Sequence, residues 1–355
     1  MAFLKIDHVA IRGVAACVPP KVEENKDLPF YSPGEAEQVM AATGIERRHV
    51  VTEGITASDL CFKAADDLLV QLGWERESID VLAFVTQCPD FINQPNSFVV
   101  HERLGLSEDT MCIDYYHGCP GWIIGIQGVG SMLSVGKGSI KRALLLDGDI
   151  CSTTQYANNR EERPLIGDAG SATALEFEAD APAMLFNVGT KSDDGKALTK
   201  HYGGYRYPHT VESLKRELEL RAGVSSDYAD AGQMDGMGVF SFAITKPPKS
   251  MKKLCAEFGI ELDSIDNLFL HQANKLILEN IAKRLKMPME KVPSSLKDYG
   301  NTTSVSIPLT MVTERAAQMS SSSQKNLACA FGTGLAWGTV YFETNNIVVP
   351  KLTVL

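Results

Sequence analysis

Apolar and polar positions along the chain follow an order that occurs twice. Residues 68–87 begin with apolar side chains at helical spacing, pass Gly73 and a short polar loop, and end in an apolar run typical of a buried strand. Residues 254–273 align with them without gaps at an offset of 186, with Gly259 opposite Gly73. The match predicts a duplicated helix–loop–strand unit.

A second pair of segments supports the duplication. Residues 141–149 match residues 325–333 at an offset of 184. Strands and helices alternate in each half, which favours an α/β fold whose sheets are covered by helices. We therefore predict an N-terminal half over 1–180 and a C-terminal half over 251–355. The more polar linking range, 181–250, is either a cover over a substrate entrance or a surface insertion.

The segment YYHGCPGW, residues 115–122, places a cysteine where a predicted strand turns into an apolar helix. Gly118 permits a sharp turn, and Pro120 suits the first position of the helix. Because a helix N-terminus lowers the pKa of a thiol, Cys119 is a candidate nucleophile. The alternative is a cysteine that only packs in the core.

The repeat brings two further residues to this end of the molecule. Adding the offset to Cys119 leads close to Ser304, so YGNTTS, which contains Asn301, is predicted to be an equivalent strand-to-helix turn. His271 follows the strand equivalent to AFVTQ. Because sites in α/β folds form beyond the carboxyl ends of strands, we expect the three residues to converge.

A thiol with two nearby hydrogen-bond donors describes acyl transfer through a thioester. Taken singly, His271 is also typical of a core histidine and Asn301 of a turn. The stretches IGDAGSATAL and FGTGLAWGT match neither the dinucleotide-binding nor the P-loop spacing. They predict free backbone N–H groups near the site, or tight packing between strands.

Composition narrows the class of protein. The 355 residues are 44% hydrophobic and carry a formal net charge of −10, which argues against general nucleic-acid binding. No apolar run reaches membrane-spanning length, and the N-terminus has no signal-peptide pattern. The eight cysteines form no CxxC pair, so a zinc site is not expected. Free thiols in a reducing cytoplasm fit this pattern.

In these residues the chain resembles the β-ketoacyl-[acyl carrier protein] synthase III family of the thiolase-like superfamily. The matching pieces follow the family's order: TGIERRHV (43–50), the turn at Cys119, IGDAGSA, HQAN (271–274), GNT (300–302) and FGTGLAWG. The resemblance implies a thiolase-like α/β fold, internally duplicated in five layers, α-β-α-β-α. It also implies a homodimer.

The resemblance further implies roles for individual residues. Cys119 would accept an acyl group from acyl-coenzyme A or an acyl carrier protein. His271 and Asn301 would stabilise the enolate formed when malonyl on an acyl carrier protein loses carbon dioxide. The backbone N–H of Cys119, with one from Thr333 or Gly334, would form an oxyanion hole. No metal and no other cofactor is implied.

Three positions depart from the family's pattern. Gln38 and Ala42 stand where a primary-metabolism member usually has a Trp and an Arg that grip the adenine of coenzyme A. The donor is therefore either coenzyme A or a second carrier protein, and a specialised synthase is favoured. Thr333 also replaces the middle residue of the family's loop of three glycines.

Three other functions remain open. An acyltransferase acting on an amine or hydroxyl would not need both His271 and Asn301. A hydroxymethylglutaryl-coenzyme A synthase-like enzyme should have a catalytic Glu, and the nearest candidate, Glu102, lies in a different context. A scaffold subunit of this fold usually lacks the cysteine.

The helix predicted after His271 is a candidate docking surface for an acidic carrier protein. Because the chain is itself acidic, docking needs a local basic patch. The resemblance places the family's docking helix here, although Leu276 stands where an Arg is common. The alternative is a solvated helix face. The candidate docking residues are Lys275, Lys283, Arg284 and Lys286.

Overall fold

The computed structural model of the protein describes residues 2–192, 198–200, 203–223 and 232–355. Parts of the predicted linking range lie outside the described residues, namely 193–197, 201–202 and 224–231.

The described strands, in chain order, are β1 (Ala2–Ile6), β2 (Val9–Val18), β3 (Lys21–Glu24), β4 (Arg47–Val50), β5 (Val81–Thr86), β6 (Met111–Tyr116), β7 (Arg142–Asp149), β8 (Ala169–Phe177), β9 (Met184–Thr190), β10 (Leu198–Lys200), β11 (Gly232–Met234), β12 (Asn267–Leu270), β13 (Ser323–Gly332), β14 (Ala336–Asn345) and β15 (Thr353–Val354). The described α-helices are α1 (Glu35–Thr43), α2 (Ala57–Leu72), α3 (Asn96–Leu104), α4 (Gly121–Gly136), α5 (Val211–Arg221), α6 (Gly236–Phe258), α7 (Lys275–Leu285), α8 (Leu296–Tyr299), α9 (Ser306–Glu314) and α10 (Ala316–Ser321).

Two sheets of similar topology form the framework. The first has the strand order β15-β2-β8-β7-β5-β6, and the second has β1-β9-β14-β13-β12. In the first sheet β5 runs parallel to β7, which is antiparallel to β8. In the second sheet β12 likewise runs parallel to β13, which is antiparallel to β14. The predicted duplication is therefore confirmed.

The ends of the helices follow the repeat as well. Gly73 ends α2 and Gly259 ends α6, both in the left-handed conformation, at φ 62° and 67°. Glycine is favoured there because other residues meet a Cβ penalty at positive φ. In each half a 3₁₀ turn, at Arg76–Ser78 and Leu262–Ser264, then leads towards the buried strand.

The helices and sheets form the expected five layers. Helix α4 lies between the sheets and contacts β5 and β7 on one side and β13 and β14 on the other. Helix α9 shares this central layer, since it contacts both β8 and β12. Helix α2 covers the outer face of the first sheet, and α6 covers that of the second. The largest apolar core fills the central layer and includes Trp122, Phe186 and Phe269.

One predicted strand is wrong. The segment before Asn301, equivalent to β6, forms the short helix α8. Its side chains Lys297 and Asp298 are polar, and Gly300 ends the helix at φ 64°. A short, polar segment that needs a positive φ does not suit an inner strand.

The two halves exchange strands at their ends. Strand β1 pairs with β9 in the second sheet, whereas β15 pairs with β2 in the first. Because β9 also pairs with β14, the start of the predicted linking range is part of a sheet. Helix α6 crosses the predicted boundary at 250/251. No helix in the described part of the chain is long and apolar enough to span a membrane.

Candidate active site

Cys119 lies in the turn between β6 and α4. Strand β6 ends at Tyr116, and the N–H of Gly121 donates to the carbonyl of Gly118 at 2.7 Å to close the turn. Helix α4 begins at Gly121, with Pro120 as its N-cap, so Pro120 stands one residue before the position predicted for it. The thiol is therefore held at the start of a buried helix, and it is itself buried.

Burial dominates the protonation of this thiol. It raises the pKa of Cys119 to about 11, although the backbone groups of Thr333 and of Cys119 itself oppose the shift. The buried charge of Asp149 adds to the rise in pKa. The direction is opposite to the lowering expected from the helix N-terminus alone, because desolvation disfavours the thiolate.

The end of β13 closes over the sulfur. A Cβ on Gly332 would lie 2.5 Å from Cys119 Sγ, so this position leaves no room for a side chain. A Cβ on Gly118, the residue before Cys119, would lie 3.2 Å from Thr333 Oγ1, so Thr333 lies beside this turn, and its backbone lowers the pKa of Cys119. Thr333 thus lies where the predicted oxyanion hole needs a backbone group, whereas Gly334, one residue further, is exposed.

His271 follows the last residue of β12, at the strand end where the repeat places it. Its backbone N–H donates to the carbonyl of Cys329 at 3.0 Å and continues the parallel pairing. Its Nδ1 lies 2.9 Å from the Ser306 hydroxyl. Burial lowers the pKa of His271 to about 4, so the imidazole is neutral at physiological pH.

Asn301 is fixed through its backbone and its side-chain oxygen. Its N–H donates to Leu165 at 2.8 Å, and its carbonyl accepts from Gly167 at 3.1 Å. The Oδ1 atom accepts the backbone N–H of Thr303 at 2.9 Å. The amide group Nδ2 is therefore oriented and remains available as a donor to a substrate.

Shared neighbours bring the three residues together. The Phe331 ring contacts the His271 ring edge-on at 5.5 Å, and the next residue, Gly332, covers Cys119. The backbone of Thr303, which holds Asn301, also lies close enough to His271 to raise the pKa of its imidazole and so oppose part of the effect of burial. Cys119 and His271 thus lie on either side of the end of β13. Asn301 lies near them because the turn that contains it also contains Thr303.

Asp149 is a buried residue of this site that the sequence-based reasoning missed. Its Oδ2 accepts the hydroxyl hydrogen bonds of Thr303 and Ser304, the latter at 2.7 Å. Its Oδ1 accepts the N–H of Gln87 at 2.9 Å. The sequence did contain a signal for Asp149, since it is an acidic residue at the end of the apolar run RALLLDGD. A buried acid is rare without a partner, so such a residue indicates a polar site.

Comparisons with known proteins identify the family of this chain. Residues 255–344 match the family described as 3-oxoacyl-[acyl-carrier-protein (ACP)] synthase III C terminal. The β-ketoacyl-[acyl-carrier-protein] synthase III of Rhodobacter capsulatus is 30% identical over 335 residues, which cover 94% of this chain and 98% of that protein. The chain belongs to the β-ketoacyl-[acyl-carrier-protein] synthase III family.

Solved structures of synthases with related names share the fold. The 3-oxoacyl-(acyl-carrier protein) synthase from Burkholderia xenovorans LB400 superposes with a TM-score of 0.90 at 30% identity, over 99% of both chains. The synthase III of Pseudomonas aeruginosa PAO1 gives a TM-score of 0.82 at 26% identity, over 96% of this chain and 99% of that one. The thiolase-like fold is thus established, and the chain is an enzyme of the acyl-transferring, condensing type.

Two surfaces of this synthase III family member bear on its substrates. Gln38 and Ala42 are both exposed on α1, one helical turn apart, where the family's adenine-gripping residues were expected. The four candidate docking residues are exposed on α7 and at its C-terminal end. Lys275 pairs with Glu279 at 4.0 Å, which leaves the positive charge concentrated at the end of the helix. The exposed charges there are Lys283, Arg284 and Lys286.

Proposed function

We propose that the protein transfers an acyl group from a thioester to Cys119 and condenses it with malonyl carried on an acyl carrier protein. The observation that carries this proposal is the placement of Cys119, His271 and Asn301 around one strand end and one turn. A nucleophile with two oriented donors fits both half-reactions. The product would be a β-ketoacyl thioester.

The first half-reaction needs a thiolate and an oxyanion hole. With a pKa of about 11 the resting thiol is protonated, so its proton must be transferred as the sulfur attacks the carbonyl carbon of the donor thioester. The N–H groups of Cys119 and Thr333 flank the sulfur and support the tetrahedral oxyanion. The displaced donor thiol takes up the proton.

The second half-reaction needs donors to the thioester oxygen of malonyl. When the Ser306 hydroxyl donates to Nδ1, the neutral imidazole of His271 carries its proton on Nε2. That N–H and the Nδ2 group of Asn301 stabilise the enolate left by the loss of carbon dioxide. The enolate carbon then attacks the acyl-cysteine and expels the Cys119 thiolate.

No metal or redox cofactor takes part in these steps, because decarboxylation supplies the carbanion. We propose a carrier protein rather than coenzyme A as the acyl donor, and a specialised pathway. This rests on Gln38 and Ala42, which offer no aromatic ring and no guanidinium to an adenine.

We propose that the carrier protein docks on a basic groove between α6 and α7. The groove has a volume of about 360 Å³. Its positive charge complements an acidic carrier, which compensates for the net charge of −10. Lys283, the neighbour of Arg284, extends the same charge along α7. The groove is lined by Thr245, Pro248, Lys249, Lys252, Lys253, Ala256 and Arg284.

We further propose a cytoplasmic homodimer that pairs along β6. Strand β6 is an edge of the first sheet, and an unpaired edge invites a second copy. Its own apolar side chains Met111 and Tyr116 are exposed. All eight cysteines are free thiols, which supports a reducing compartment.

The test is incubation with malonyl on an acyl carrier protein and a panel of acyl donors, on coenzyme A and on carrier protein, read by mass spectrometry. We expect an acyl adduct on Cys119 and a β-ketoacyl carrier protein as product. Acyl transfer to added amines or alcohols without loss of carbon dioxide would instead favour the simple acyltransferase. Absence of any adduct with every donor would contradict both.

A further inference from the structure

Two thiols lie side by side at the carboxyl ends of neighbouring strands. Cys88 follows β5 by two residues, and Cys151 follows β7 by two residues. Because β5 and β7 are parallel partners, these positions meet, and the two Sγ atoms are 3.4 Å apart. One ligand atom each from Cys88, Cys151 and Asp149 lie within 4.8 Å of one another.

We propose that Cys88, Cys151 and Asp149 form a binding site for a thiophilic divalent cation such as Zn²⁺. Two thiolates and a carboxylate are ligands that Zn²⁺ accepts, with water in the fourth position. No metal site was expected from the sequence, because the chain has no closely spaced pair of cysteines. Cys88 and Cys151 are 63 residues apart and meet only in the fold. The cation would take no part in the condensation proposed above, although its ligand Asp149 also holds the turn after Asn301.

The spacing of the sulfurs fits a metal better than a disulfide. Two Zn–S bonds of ~2.3 Å at a tetrahedral angle separate the sulfurs by ~3.8 Å. A disulfide needs a separation of about 2.05 Å. The observed 3.4 Å lies nearer to the first value, so a cation requires the smaller movement.

The Asp149 carboxylate is already oriented for a ligand role. Its Oδ2 is taken by the hydroxyl groups of Thr303 and Ser304, which act as outer partners. Its Oδ1 receives the Gln87 N–H at 2.9 Å but the Thr86 hydroxyl only at 3.3 Å. The cation would replace this longer contact.

Access and charge also permit binding. Cys88 is half-buried, so a cation can enter past it, while Cys151 and Asp149 are buried. The Gln87 side chain donates to Cys151 Sγ at 3.2 Å and would support a thiolate there. Binding exchanges the two thiol protons for the cation and changes no oxidation state.

In the experiment, metal-free protein is kept reduced with a phosphine. It is then titrated with Zn²⁺ in competition with a chromophoric chelator, whose absorbance reports the free Zn²⁺. We expect one tight Zn²⁺ per chain, and thiolate-to-metal charge-transfer bands when Co²⁺ is used instead. Cys88→Ser and Cys151→Ser should each weaken binding by at least ~10–100-fold, the cost of losing even an outer-shell partner. The half-buried Cys112 offers a matched control, and Cys112→Ser should bind like the wild type.

The variant Cys119→Ser tests whether Zn²⁺ binds to the proposed nucleophile instead. It should bind Zn²⁺ as tightly as the wild type. Three results would overturn the proposal. They are loss of Zn²⁺ binding in Cys119→Ser alone, Zn²⁺ binding by Cys88→Ser equal to that of the wild type, and no Zn²⁺ uptake by the wild type. Zn²⁺ should also raise the Tm of the wild type but not that of Cys88→Ser. This comparison still decides the matter if Cys151→Ser fails to fold.

Discussion

The Asp149 carboxylate accepts a hydrogen bond from the Ser304 hydroxyl at 2.7 Å. Asp149 ends β7 in the first half of the chain, whereas Ser304 lies in the turn after Asn301 in the second. The half that carries the proposed nucleophile, Cys119, therefore holds the turn that carries one of the proposed enolate donors, Asn301. The two halves of the repeat build the site jointly.

Replacing the nucleophile separates covalent chemistry from folding. Cys119→Ser should abolish the acyl adduct, with a loss of at least ~10³-fold, because a serine hydroxyl is far less acidic and less nucleophilic than a thiol. Intact-protein mass spectrometry after incubation with acyl donors measures this. A persisting adduct in the variant would assign acylation to another thiol.

His271→Ala should affect the half-reactions unequally. Decarboxylation of malonyl carrier protein should fall by about 10²–10³-fold through loss of one oxyanion donor, while acylation of Cys119 persists in part. Release of carbon dioxide and adduct mass report the two steps separately. Equal loss of both would instead make His271 the base for the thiol.

The neutral state of His271 predicts a pH profile. Since burial lowers its pKa to about 4, decarboxylation should show no inflection near the ordinary histidine value and should decline only as the pH approaches 4. The unfolded chain binds this proton between about 4 and 6.5, so His271 also lowers stability as the pH falls through that range. Activity that titrates near 6.5 would contradict the assignment.

The contact at Gly332 predicts steric loss of function. A Cβ there would lie 2.5 Å from Cys119 Sγ, so Gly332→Ala should displace the sulfur and slow acylation by ~10²-fold or more. Gly236→Ala is the matched control because its Cβ would meet nothing within 4 Å. If Gly332→Ala were acylated at the wild-type rate, the end of β13 would be able to move and accommodate the extra methyl group.

Asp147 predicts a stability change with a defined sign. Both carboxylate oxygens are buried without a hydrogen-bond partner among the described residues, and burial raises the pKa of Asp147 well above its usual value. The folded state therefore keeps this proton above the unfolded pKa, so wild-type stability falls as the pH rises from ~4. Asp147→Asn should raise the Tm at pH 8 and by less at pH 4.5. Thermal unfolding at both values measures this, and an equal change at both would contradict it.

Charge reversal at the end of α7 tests carrier docking. Changing Lys283 and Arg284 to Glu should raise KM for malonyl carrier protein by on the order of tenfold at low salt. Turnover of a small malonyl thioester should change little, because it does not use the docking surface. The effect should shrink toward ~1 M salt, where the screening length is about 3 Å. An unchanged KM would place docking elsewhere.

Local pattern was enough to predict much of the fold and to single out the candidate site residues. Helix spacing, the stops at Gly73 and Gly259 and the apolar strands revealed the repeat, and the repeat pointed to His271 and Asn301. Features that depend on contacts between distant segments could not be predicted from local pattern. The raised pKa of Cys119 arises from burial under β13, and the pairing of Cys88 with Cys151 arises from the adjacency of two strands.

The exchange of terminal strands has a consequence for how the chain is made. β1 is synthesised roughly 180 residues before its partner β9, and at ~5–20 residues per second this is a delay on the order of 10 s. The edge of β2 is covered last, when Val348 bonds to Arg12 and Val14 and β15 joins the sheet. A nascent first half therefore exposes the edge of β2 until residues 348–354 have been synthesised and can pair with it.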